Sequence, residues 1–530
     1  MSREKLKEII DDFSVEKFRD FFRLKNSSFR PYLEKLPEYD DNDFTRAFFI
    51  GEIPFDNSQK LGIYSFKVKG ELNERSGKKK QYEKGKRILK DNQLDAGIFI
   101  FYDSNNNFRF SLIYAEYLGT RRRFSYFKRF TFFVSPRLTN RTFLKQVGDG
   151  DFSSLEGIKE AFSVEPVTRE FYSELQSWYF WAMDKVRFPR DYKYNEDEQK
   201  DKELRNATNL IRLITRIIFI WFLKEKGLVK EDLFDRDRLK YVVKDFLKDD
   251  SSNYYNAILQ NLFFATLNQK AEERRFAKEG NFDVNREEYG VKNLYRYRDK
   301  FLIGEKDVLN LFKDIPFLNG GLFDCLDKED DTGKVIYIDG FSRNPKKQAV
   351  IPDYLFFQEN EERIDLSTYG LGRNRPVRGL IEILKSYNFT VDESSIIDQE
   401  IALDPELLGK VFENLLACYT PETATTARKA TGSYYTPREI VDYMVEESLY
   451  EYLKTHFPEI EEDKLRLLLS YSEEVPELSE EEKERVIEAI ANIRILDPAC
   501  GSGAFPMGIL HRMVYILQKL DPDNSHWYEL

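Results

Sequence analysis

Cysteine and histidine are scarce in this chain of 530 residues, with only three of each. The cysteines, Cys325, Cys418 and Cys500, lie far apart, which argues against a disulfide framework and against a zinc cluster. The sequence also lacks an uninterrupted apolar run long enough to span a membrane, and its first residues, MSREKLKEIIDDF, are charged and unlike a signal peptide. These absences predict a soluble, cytoplasmic protein without a membrane partner.

Apolar residues are plentiful, at 41% hydrophobic and 15% aromatic, so the chain can build packed cores. Its length favours about three to four domains. The net charge of -11 argues against a uniformly basic nucleic-acid binder. The stretch from Lys67 to Lys90 nevertheless contains ten Lys and Arg residues and only three Glu residues. Because local charge sets the field that a phosphate backbone experiences, binding to DNA stays open.

The apolar pattern changes along the first third of the chain. Residues 1–35 have helical spacing, whereas AFFIGEI, LGIYSFKVK, AGIFIFYD and FRFSLIYAEY are typical of strands. Between the second and third of these runs, the basic stretch GKKKQYEKGKRILK predicts a helix. The fold class is therefore multidomain α/β plus α, and it begins with a small α/β unit that ends near residue 150.

Beyond that unit the sequence is mostly helical. The stretch LRNATNLIRLITRIIFIWFLKEKGL is apolar almost all round, which predicts a buried helix that ends near Gly227. Residues 270–350 are mixed and do not predict an order of elements. Helices return over 396–455, and the acidic segment 458–490 is most typical of a solvated helical hairpin, with partner binding as the alternative.

One short stretch near the end of the sequence, IRILDPACGSGAF (493–505), has the layout of a nucleotide-type binding site. Ile493, Ile495 and Leu496 predict a short buried strand, and an acidic residue, two glycines and a helix follow. Gly501 and Gly503 permit backbone conformations that let a ligand approach the main chain closely. On spacing alone, an ordinary glycine-containing strand–helix turn is the alternative interpretation.

The identities of the residues add to the spacing, because DPACGSGAF resembles the S-adenosylmethionine motif of the DNA adenine-N6 methyltransferases. A second stretch, ATGSYYTPREIVDYMV (430–445), resembles that family's other cofactor motif, which precedes the first in one subgroup. The resemblance implies that the loop holding the amino-acid part of the cofactor consists of Asp497, Ala499, Cys500, Gly501, Ser502, Gly503 and Phe505. It implies that Tyr435, Thr436 and Pro437 close over the cofactor. Cys500 is then a small loop residue and not a nucleophile.

A longer resemblance, to bifunctional type IIG-like restriction–modification methylases, covers most of the chain. It includes the strand runs of the first 170 residues and the stretches NLIRLITRIIFIWFLKEKGL and PELLGKVFENLLA. It implies N-terminal helices over 1–40, a nuclease-like α/β domain over 41–150 and a mostly helical connector over 151–395. A helical segment with a cofactor motif over 396–490 and the first strand and helix of a truncated, Rossmann-like methyltransferase sheet over 491–530 complete the implied organisation.

In such enzymes the α/β domain is often a nuclease with a D…(D/E)xK site, in which carboxylates hold Mg²⁺ and a lysine positions the attacking water. Asp56 and Lys67 stand at the matching positions here, with Asp56 as the candidate metal ligand. The acidic position before the lysine is Ser65, which leaves the metal one ligand short, although Glu52 or Glu71 could compensate. An active nuclease, a degenerate nuclease-like fold and an unrelated structural unit all remain open.

The segment RRRFSYFKRF (121–130) alternates basic and aromatic residues and has two interpretations. Arg121–Arg123, Lys128 and Arg129 could contact DNA phosphates. Alternatively, the segment is a strand whose aromatic residues pack inward and whose charges are solvated. The pattern does not decide between them.

The resemblance also shows what the sequence lacks. The family holds its flipped target base with an (N/D)-P-P-(Y/F) loop, and no Pro-Pro dipeptide occurs in these residues. We therefore expect the N-terminal part of a longer or split enzyme. Its partners would be double-stranded DNA and C-terminal methyltransferase and target-recognition regions, on the same or a separate chain. The alternative is a non-catalytic DNA-binding or phage-defence assembly subunit in which both enzyme modules are vestigial.

Overall fold

The chain is divided into two compact units in the computed structural model. Unit 1 comprises Met1–Val164, Ser394–Ile401 and Tyr434–Leu530, and unit 2 comprises Glu165–Glu393 and Ala402–Ser433. The structure describes residues 1–55, 59–74, 76–117, 125–278, 293–318, 320–391, 398–405, 409, 436–471, 474–498, 500 and 503–525. Each unit is described by itself below.

A mixed, seven-stranded sheet is the centre of unit 1, with the strand order β1-β2-β3-β4-β5-β6-β11. Neighbouring strands are antiparallel except for two parallel pairs, β3 with β4 and β6 with β11. The strands are β1 (Arg30–Lys35), β2 (Phe44–Pro54), β3 (Lys60–Val68), β4 (Ala96–Tyr102), β5 (Phe108–Tyr117), β6 (Ser125–Val134) and β11 (Asp398–Glu400).

Helices pack against both faces of this sheet. One face is covered by aromatic residues, with Phe18 stacked on Phe110 at 5.8 Å and Phe143 edge-on to Phe110 at 5.5 Å. The other face packs against α3, where Ile88 and Leu89 join a cluster of buried strand residues. The helices of this part are α1 (Ser2–Asp11), α2 (Val15–Lys25), α3 (Lys78–Asp91), α4 (Arg141–Asp149) and α5 (Leu155–Ala161).

The four strand runs predicted from the sequence form strands of this sheet, and the predicted basic helix is α3. The helical prediction over 1–35 is wrong at its end. Residues Arg30–Lys35 form the edge strand β1 and pair antiparallel with β2. Pro31 removes a backbone donor and disfavours a helix, while pairing with Gly51 and Glu52 of β2 is a long-range contact that local periodicity does not show.

In its described residues, unit 2 has longer helices than strands. Its helices are α6 (Glu165–Met183), α7 (Glu198–Glu225), α8 (Arg236–Leu239), α9 (Glu305–Phe312), α10 (Tyr354–Phe357) and α11 (Leu380–Lys385), with a buried π-helical segment over Tyr254–Thr266. Four short strands form two hairpin-like pairs: β7 (Lys328–Glu329) with β8 (Val335–Ile336), and β9 (Glu362–Ile364) with β10 (Arg375–Val377).

The long helix α7 confirms the prediction of a buried helix. It ends at Glu225, and Gly227 follows with a positive φ of 75° that ends the helical path. Within the described residues it is the single helix long and apolar enough to cross a membrane, but most of its apolar window is buried inside the protein. This burial is what the core helix of a globular unit shows.

Four further helices complete unit 1: α12 (Arg438–His456), α13 (Glu462–Leu469), α14 (Glu480–Asn492) and α15 (Ala504–Leu520). They share one apolar core, to which each helix contributes buried residues, for example Leu453, Leu468, Ile487 and Ile516. The acidic segment 458–490 forms α13 and α14, as predicted, and a reciprocal capping box between Ser479 and Glu482 begins α14.

Candidate cofactor site and nuclease-like sheet

The glycine-rich motif lies at the start of α15. Gly503 has a φ of 83° and is the residue from which the helix begins, and its amide donates to the carbonyl of Cys500 at 2.7 Å. An added Cβ at Gly503 would meet no heavy atom within 4 Å, so the turn leaves open space beside its backbone. Half-buried Asp497, exposed Cys500 and half-buried Phe505 flank this turn, whereas Ala499, Gly501 and Ser502 lie outside the described residues.

This turn fits the group that the motif implies. The first turn of α15 contains no acidic residue, and its N-cap residue, Gly503, has no side chain that could bond to the first amides. The amide groups of a helix N-terminus attract negative charge, and a carboxylate is one part of the amino-acid end of S-adenosylmethionine. The described residues therefore leave donors and space for that end of the cofactor.

The predicted strand before the motif is not formed in the described residues. No β-ladder includes 493–497, and Leu496 is 87% exposed while Ile495 is 46% exposed. The expectation of a short buried strand is therefore wrong for this structure. The physical reason is that a strand persists only when a neighbour pairs with its backbone.

The second motif lies at the start of α12. Pro437 is the N-cap residue of this helix, and its carbonyl accepts the amides of Ile440 and Val441, each at 3.0 Å. Thr436 is half-buried, and Tyr435 lies outside the described residues. Both candidate motifs thus lead directly into helices of the same four-helix core.

The two helices that follow the motifs are in close contact. A Cβ built on Gly508 of α15 would stand 2.9 Å from the Cγ1 atom of Val441 in α12, so the glycine allows the helices to approach. Arg512 is 1% exposed, and it donates to Asp442 and to the carbonyl of Leu469. This arrangement ties α15 to α12 and to the end of α13.

Lys519 makes a related contact in the last turn of α15. Its Nζ atom donates to the carbonyls of Leu467 at 2.9 Å, Leu468 at 3.3 Å and Ser470 at 2.7 Å. These carbonyls belong to the last turn of α13, which leaves such acceptors without helical partners. Burial, together with the nearby Arg512, lowers the pKa of Lys519 to about 7.

The candidate nuclease site is only partly described, because Asp56 lies outside the described residues. Lys67 is half-buried on β3, and no ion pair or side-chain hydrogen bond to its ammonium group occurs within the described ranges. Ser65, two residues earlier on the same face, is fully buried, and its hydroxyl has no hydrogen-bond partner among the described residues. The position that should be acidic thus lies in an apolar environment.

The two carboxylates that could compensate for Ser65 lie elsewhere. Glu52 pairs in register with Gly62, which places it on the opposite face of the sheet from Ser65 and Lys67. Glu71 lies beyond the strand, where it accepts a bond from Asn105 at 3.2 Å. In the part of the chain that the structure describes, no group of three acidic, histidine or cysteine side chains could hold a metal. The described residues alone therefore do not supply a set of Mg²⁺ ligands.

The basic helix α3 has less free charge than its sequence suggests. Most of its cationic side chains form ion pairs: Lys78 with Glu400 at 2.6 Å, Lys80 with Asp43 at 2.7 Å, Lys84 with Asp41, Lys86 with Glu83 at 2.7 Å, and Arg87 with Asp91 at 3.6 Å. Lys84 and Lys86 are also buried. Neutralised and buried cations contribute little to a field that could attract phosphates.

The segment RRRFSYFKRF ends in the strand β6, and Arg121–Arg123 lie outside the described residues. Lys128 pairs with Glu116 at 3.4 Å. Arg129 is fully buried, donates to the carbonyl of Lys78 at 2.8 Å and lies against the ring of Tyr82. Arg129 therefore cannot contact phosphates, which is against the DNA interpretation for this residue.

Sequence reasoning missed a buried polar cluster between α3 and the sheet. Arg109 donates to Gln81 at 3.0 Å and to the carbonyls of Asn73 and Glu74, each at 2.7 Å. Arg109 and Gln81 are both fully buried. The sequence signal for this cluster was Arg109, a charged residue in the mostly apolar strand β5. A charged residue buried in such a strand requires polar partners.

Comparison with known proteins gives one informative similarity. The chain is 27% identical over 379 residues to a protein of Methanocaldococcus jannaschii that carries the provisional name of type II restriction enzyme and methyltransferase. The match covers 67% of this chain and 26% of the relative, so the chain spans about a quarter of the relative's length. No family model matches the chain, and no solved structure matches it. Over about two thirds of its length the chain is therefore similar to part of a protein whose provisional name includes both activities.

Proposed function

We propose that this chain is the N-terminal part of a restriction–modification enzyme that methylates adenine N6 in specific duplex DNA. One observation carries the proposal: the motif from Asp497 to Phe505 lies where a positive-φ glycine begins α15, with open space beside Gly503. The relative's name, which includes both restriction and methyltransferase activities, supports the same class.

In this proposal, S-adenosylmethionine supplies the methyl group, and these residues hold and orient it. The turn from Asp497 to Gly503 binds its amino-acid end through backbone amides, and the segment at Thr436 and Pro437 closes the opposite side. Double-stranded DNA is the substrate, and base flipping and target recognition belong to C-terminal regions on the same or a separate chain. The protein acts in the cytoplasm.

The nuclease-like sheet is proposed to be degenerate. Buried Ser65 stands where a metal ligand is needed, and Glu52 lies on the other face. A divalent cation bound by few carboxylates is held too weakly to support efficient hydrolysis. The burial of Ser65 is also compatible with the second candidate function, a non-catalytic DNA-binding or phage-defence subunit with vestigial enzyme modules.

The decisive experiment is a calorimetric titration of S-adenosylmethionine into the chain together with the C-terminal regions. We expect binding, and we expect Gly501→Val and Gly503→Val to abolish it, because a valine side chain would fill ligand space and, at Gly503, would disfavour the positive φ. Gly370→Val is a matched control, since Gly370 also has a positive φ of 75° and open space around it. Unchanged affinity in both motif variants would contradict the cofactor site.

A second measurement separates the two candidate functions. Transfer of a labelled methyl group to adenine in duplex DNA by the completed protein supports the methyltransferase. The 530-residue chain alone is expected to transfer none, because it has no base-holding loop. DNA binding without cofactor binding by the completed protein would instead favour the non-catalytic subunit.

A further inference from the structure

The helix α3 begins with charges of the unfavourable sign. Lys78, Lys79 and Lys80 fill its first turn, and that turn contains no acidic residue. The amides at a helix N-terminus carry partial positive charge, so cations there are unfavourable and anions are favourable. The N-cap residue, Gly77, has a φ of 67° and no side chain that could accept from these amides. The first turn of α3 itself therefore supplies no negative group.

Gln81 adds a buried donor at the same place. Side chains of a helix point back toward its N-terminus, and the Nε2 atom of Gln81 lies 3.3 Å from the position of a Cβ built on Gly77. Gln81 is fully buried, and its Nε2 atom has no hydrogen-bond partner among the described residues. A buried donor without an acceptor is costly. An acceptor oxygen bound beside Gly77 would satisfy this donor.

The loop that leads into α3 is held in a fixed shape by Arg109. This side chain donates to the carbonyls of Asn73 and Glu74, each at 2.7 Å, and to the carbonyl of Ser76. The carbonyl and the amide of a trans peptide point in opposite directions, so the amide of Gly77 points away from Arg109. Because Gly77 is exposed, a ligand in solution can approach this amide.

The lysines of the first turn differ in their partners. The ammonium group of Lys78 pairs with Glu400 at 2.6 Å, and that of Lys80 pairs with Asp43 at 2.7 Å. Lys79 is exposed, and no ion pair to it occurs within the described ranges. A lysine ammonium binds a phosphate group as a point charge. Lys79 can therefore contact an anion at this terminus without breaking either of the two ion pairs.

We propose that the first turn of α3 binds a phosphate group. Its oxygens accept from the backbone amides at 77–79 and from the Nε2 atom of Gln81, and Lys79 provides the opposite charge. A tetrahedral oxyanion fits better than a carboxylate, because these donors outnumber the two oxygens of a carboxylate. The phosphate group belongs to a nucleic-acid backbone or to a small phosphorylated molecule. This site shares no residue with the candidate cofactor motifs and does not depend on the function proposed for them.

The test uses the full 530-residue chain, with sodium phosphate as the ligand and sodium chloride at the same ionic strength as the reference. Hydrogen–deuterium exchange is measured over the whole chain. At about four times its Kd, phosphate should slow exchange of the amides at 77–80 about fivefold, because they exchange only when the ligand has left. The first turn of α2, which contains the acidic Glu16, is the internal control and should not respond.

Two variants examine the side chains of the site. Gln81→Glu keeps an oxygen that can accept from Arg109, as Gln81 does at 3.0 Å, but replaces the donor nitrogen by an oxygen that repels an anion. We expect it to abolish the effect of phosphate. Gln146→Glu makes the same change in α4, where the amide of Gln146 donates to the carbonyl of Ser163 at 3.2 Å, and it should leave the effect intact.

Lys79→Ala changes an exposed side chain, so it tests the site even if Gln81→Glu does not fold. It should raise the Kd for phosphate about threefold, the size expected for a contact to an exposed charge. Lys90→Ala, at an exposed position in the last turn of the same helix, is its control and should not change the Kd. Circular dichroism establishes that each variant is folded.

A short DNA duplex distinguishes the two sources of the phosphate group. If the duplex slows exchange at 77–80 and inorganic phosphate displaces it, the site binds a nucleic-acid backbone. If inorganic phosphate slows exchange and the duplex does not, the site binds a small phosphorylated molecule. The proposal is overturned if neither ligand slows exchange at 77–80, or if folded Gln81→Glu and Lys79→Ala variants respond as fully as the wild type.

Discussion

Arg512 of α15 forms a buried ion pair with Asp442 of α12, and thereby joins the two helices that follow the two candidate motifs. The guanidinium also lies 3.9 Å from the centre of the Tyr471 ring and 3.5 Å from a carboxylate oxygen of Glu446. Burial raises the pKa of Glu446. The relative orientation of the two helices therefore depends on the Arg512 guanidinium, which is buried away from water.

Removing the acidic partner of that charge should be costly. We expect Asp442→Ala to lower the free energy of unfolding by about 3 kcal/mol, because it leaves the Arg512 guanidinium buried with fewer compensating groups. Urea denaturation followed by circular dichroism measures the change. Glu439→Ala, an exposed change on the same helix, should have little effect. Equal stability of the two variants would contradict a structural role for the ion pair.

Close packing at Gly508 gives an independent prediction about the same helices. Gly508→Val should lower the free energy of unfolding by about 1–3 kcal/mol, since its side chain would overlap Val441 and push α15 away from α12. The matched change Gln518→Val, at an exposed position of α15, should be close to neutral. Thermal unfolding of both variants distinguishes them, and a neutral Gly508→Val would show that the helices can separate freely.

Asp353 in unit 2 should make stability depend on pH. It is 1% exposed, it accepts the amides of Tyr254 at 2.9 Å and Leu247 at 3.2 Å, and burial raises its pKa to about 6. The pKa of Asp353 is higher in the folded than in the unfolded protein. The stabilisation that Asp353 gives the folded state is therefore fully present below about pH 4 and is lost as the pH rises through 6.

The stability of the wild-type protein relative to Asp353→Asn should therefore fall between pH 4 and pH 7, by up to about 3 kcal/mol. Urea titrations at several pH values measure that difference. At the exposed Asp365, a hydrogen bond from Ser367 holds the pKa of the carboxyl below its usual value, so the difference between wild type and Asp365→Asn should not fall over this range. A pH-independent difference for Asp353→Asn would contradict the assignment.

The nuclease-like sheet predicts a negative result in cleavage assays. The completed protein should not cut duplex DNA in a Mg²⁺-dependent way, and Lys67→Ala should not change its behaviour. Ser65→Glu should lower the free energy of unfolding by about 2–4 kcal/mol, because Ser65 is fully buried and the carboxyl gains no partner there. Ser65→Ala is the control and should be neutral or slightly stabilising. Efficient cleavage that Lys67→Ala abolishes would restore the bifunctional interpretation.

Local patterns were sufficient where an element is determined by its own residues. The strand-like runs LGIYSFKVK and AGIFIFYD predicted β3 and β4, and the all-round apolar stretch with Gly227 predicted the end of the buried helix α7. The turn at Gly503 was also visible, because only glycine adopts its backbone angles readily.

Patterns failed where partners come from distant parts of the chain. Counting charges from Lys67 to Lys90 suggested a positive surface, but Lys78 pairs with Glu400, more than 300 residues later. The strand prediction at 493–496 failed for the opposite reason, because no described strand pairs with those residues. A short window of sequence around Lys78 does not contain Glu400, and a window around 493–496 does not show whether another strand pairs with it.

The strand β11 has a consequence for how the protein is made. It pairs in parallel with β6, and Lys78 at the start of α3 bonds to its Glu400, yet it emerges from the ribosome about 260 residues after β6 ends. At ordinary rates of translation this interval lasts roughly 15–50 s. During that time the outer edge of β6 is exposed to other nascent chains, while all of α6 to α11 is synthesised. A pause in translation before residue 398 would prolong that exposure, so synonymous codons in the unit 2 coding region should influence the yield of soluble protein.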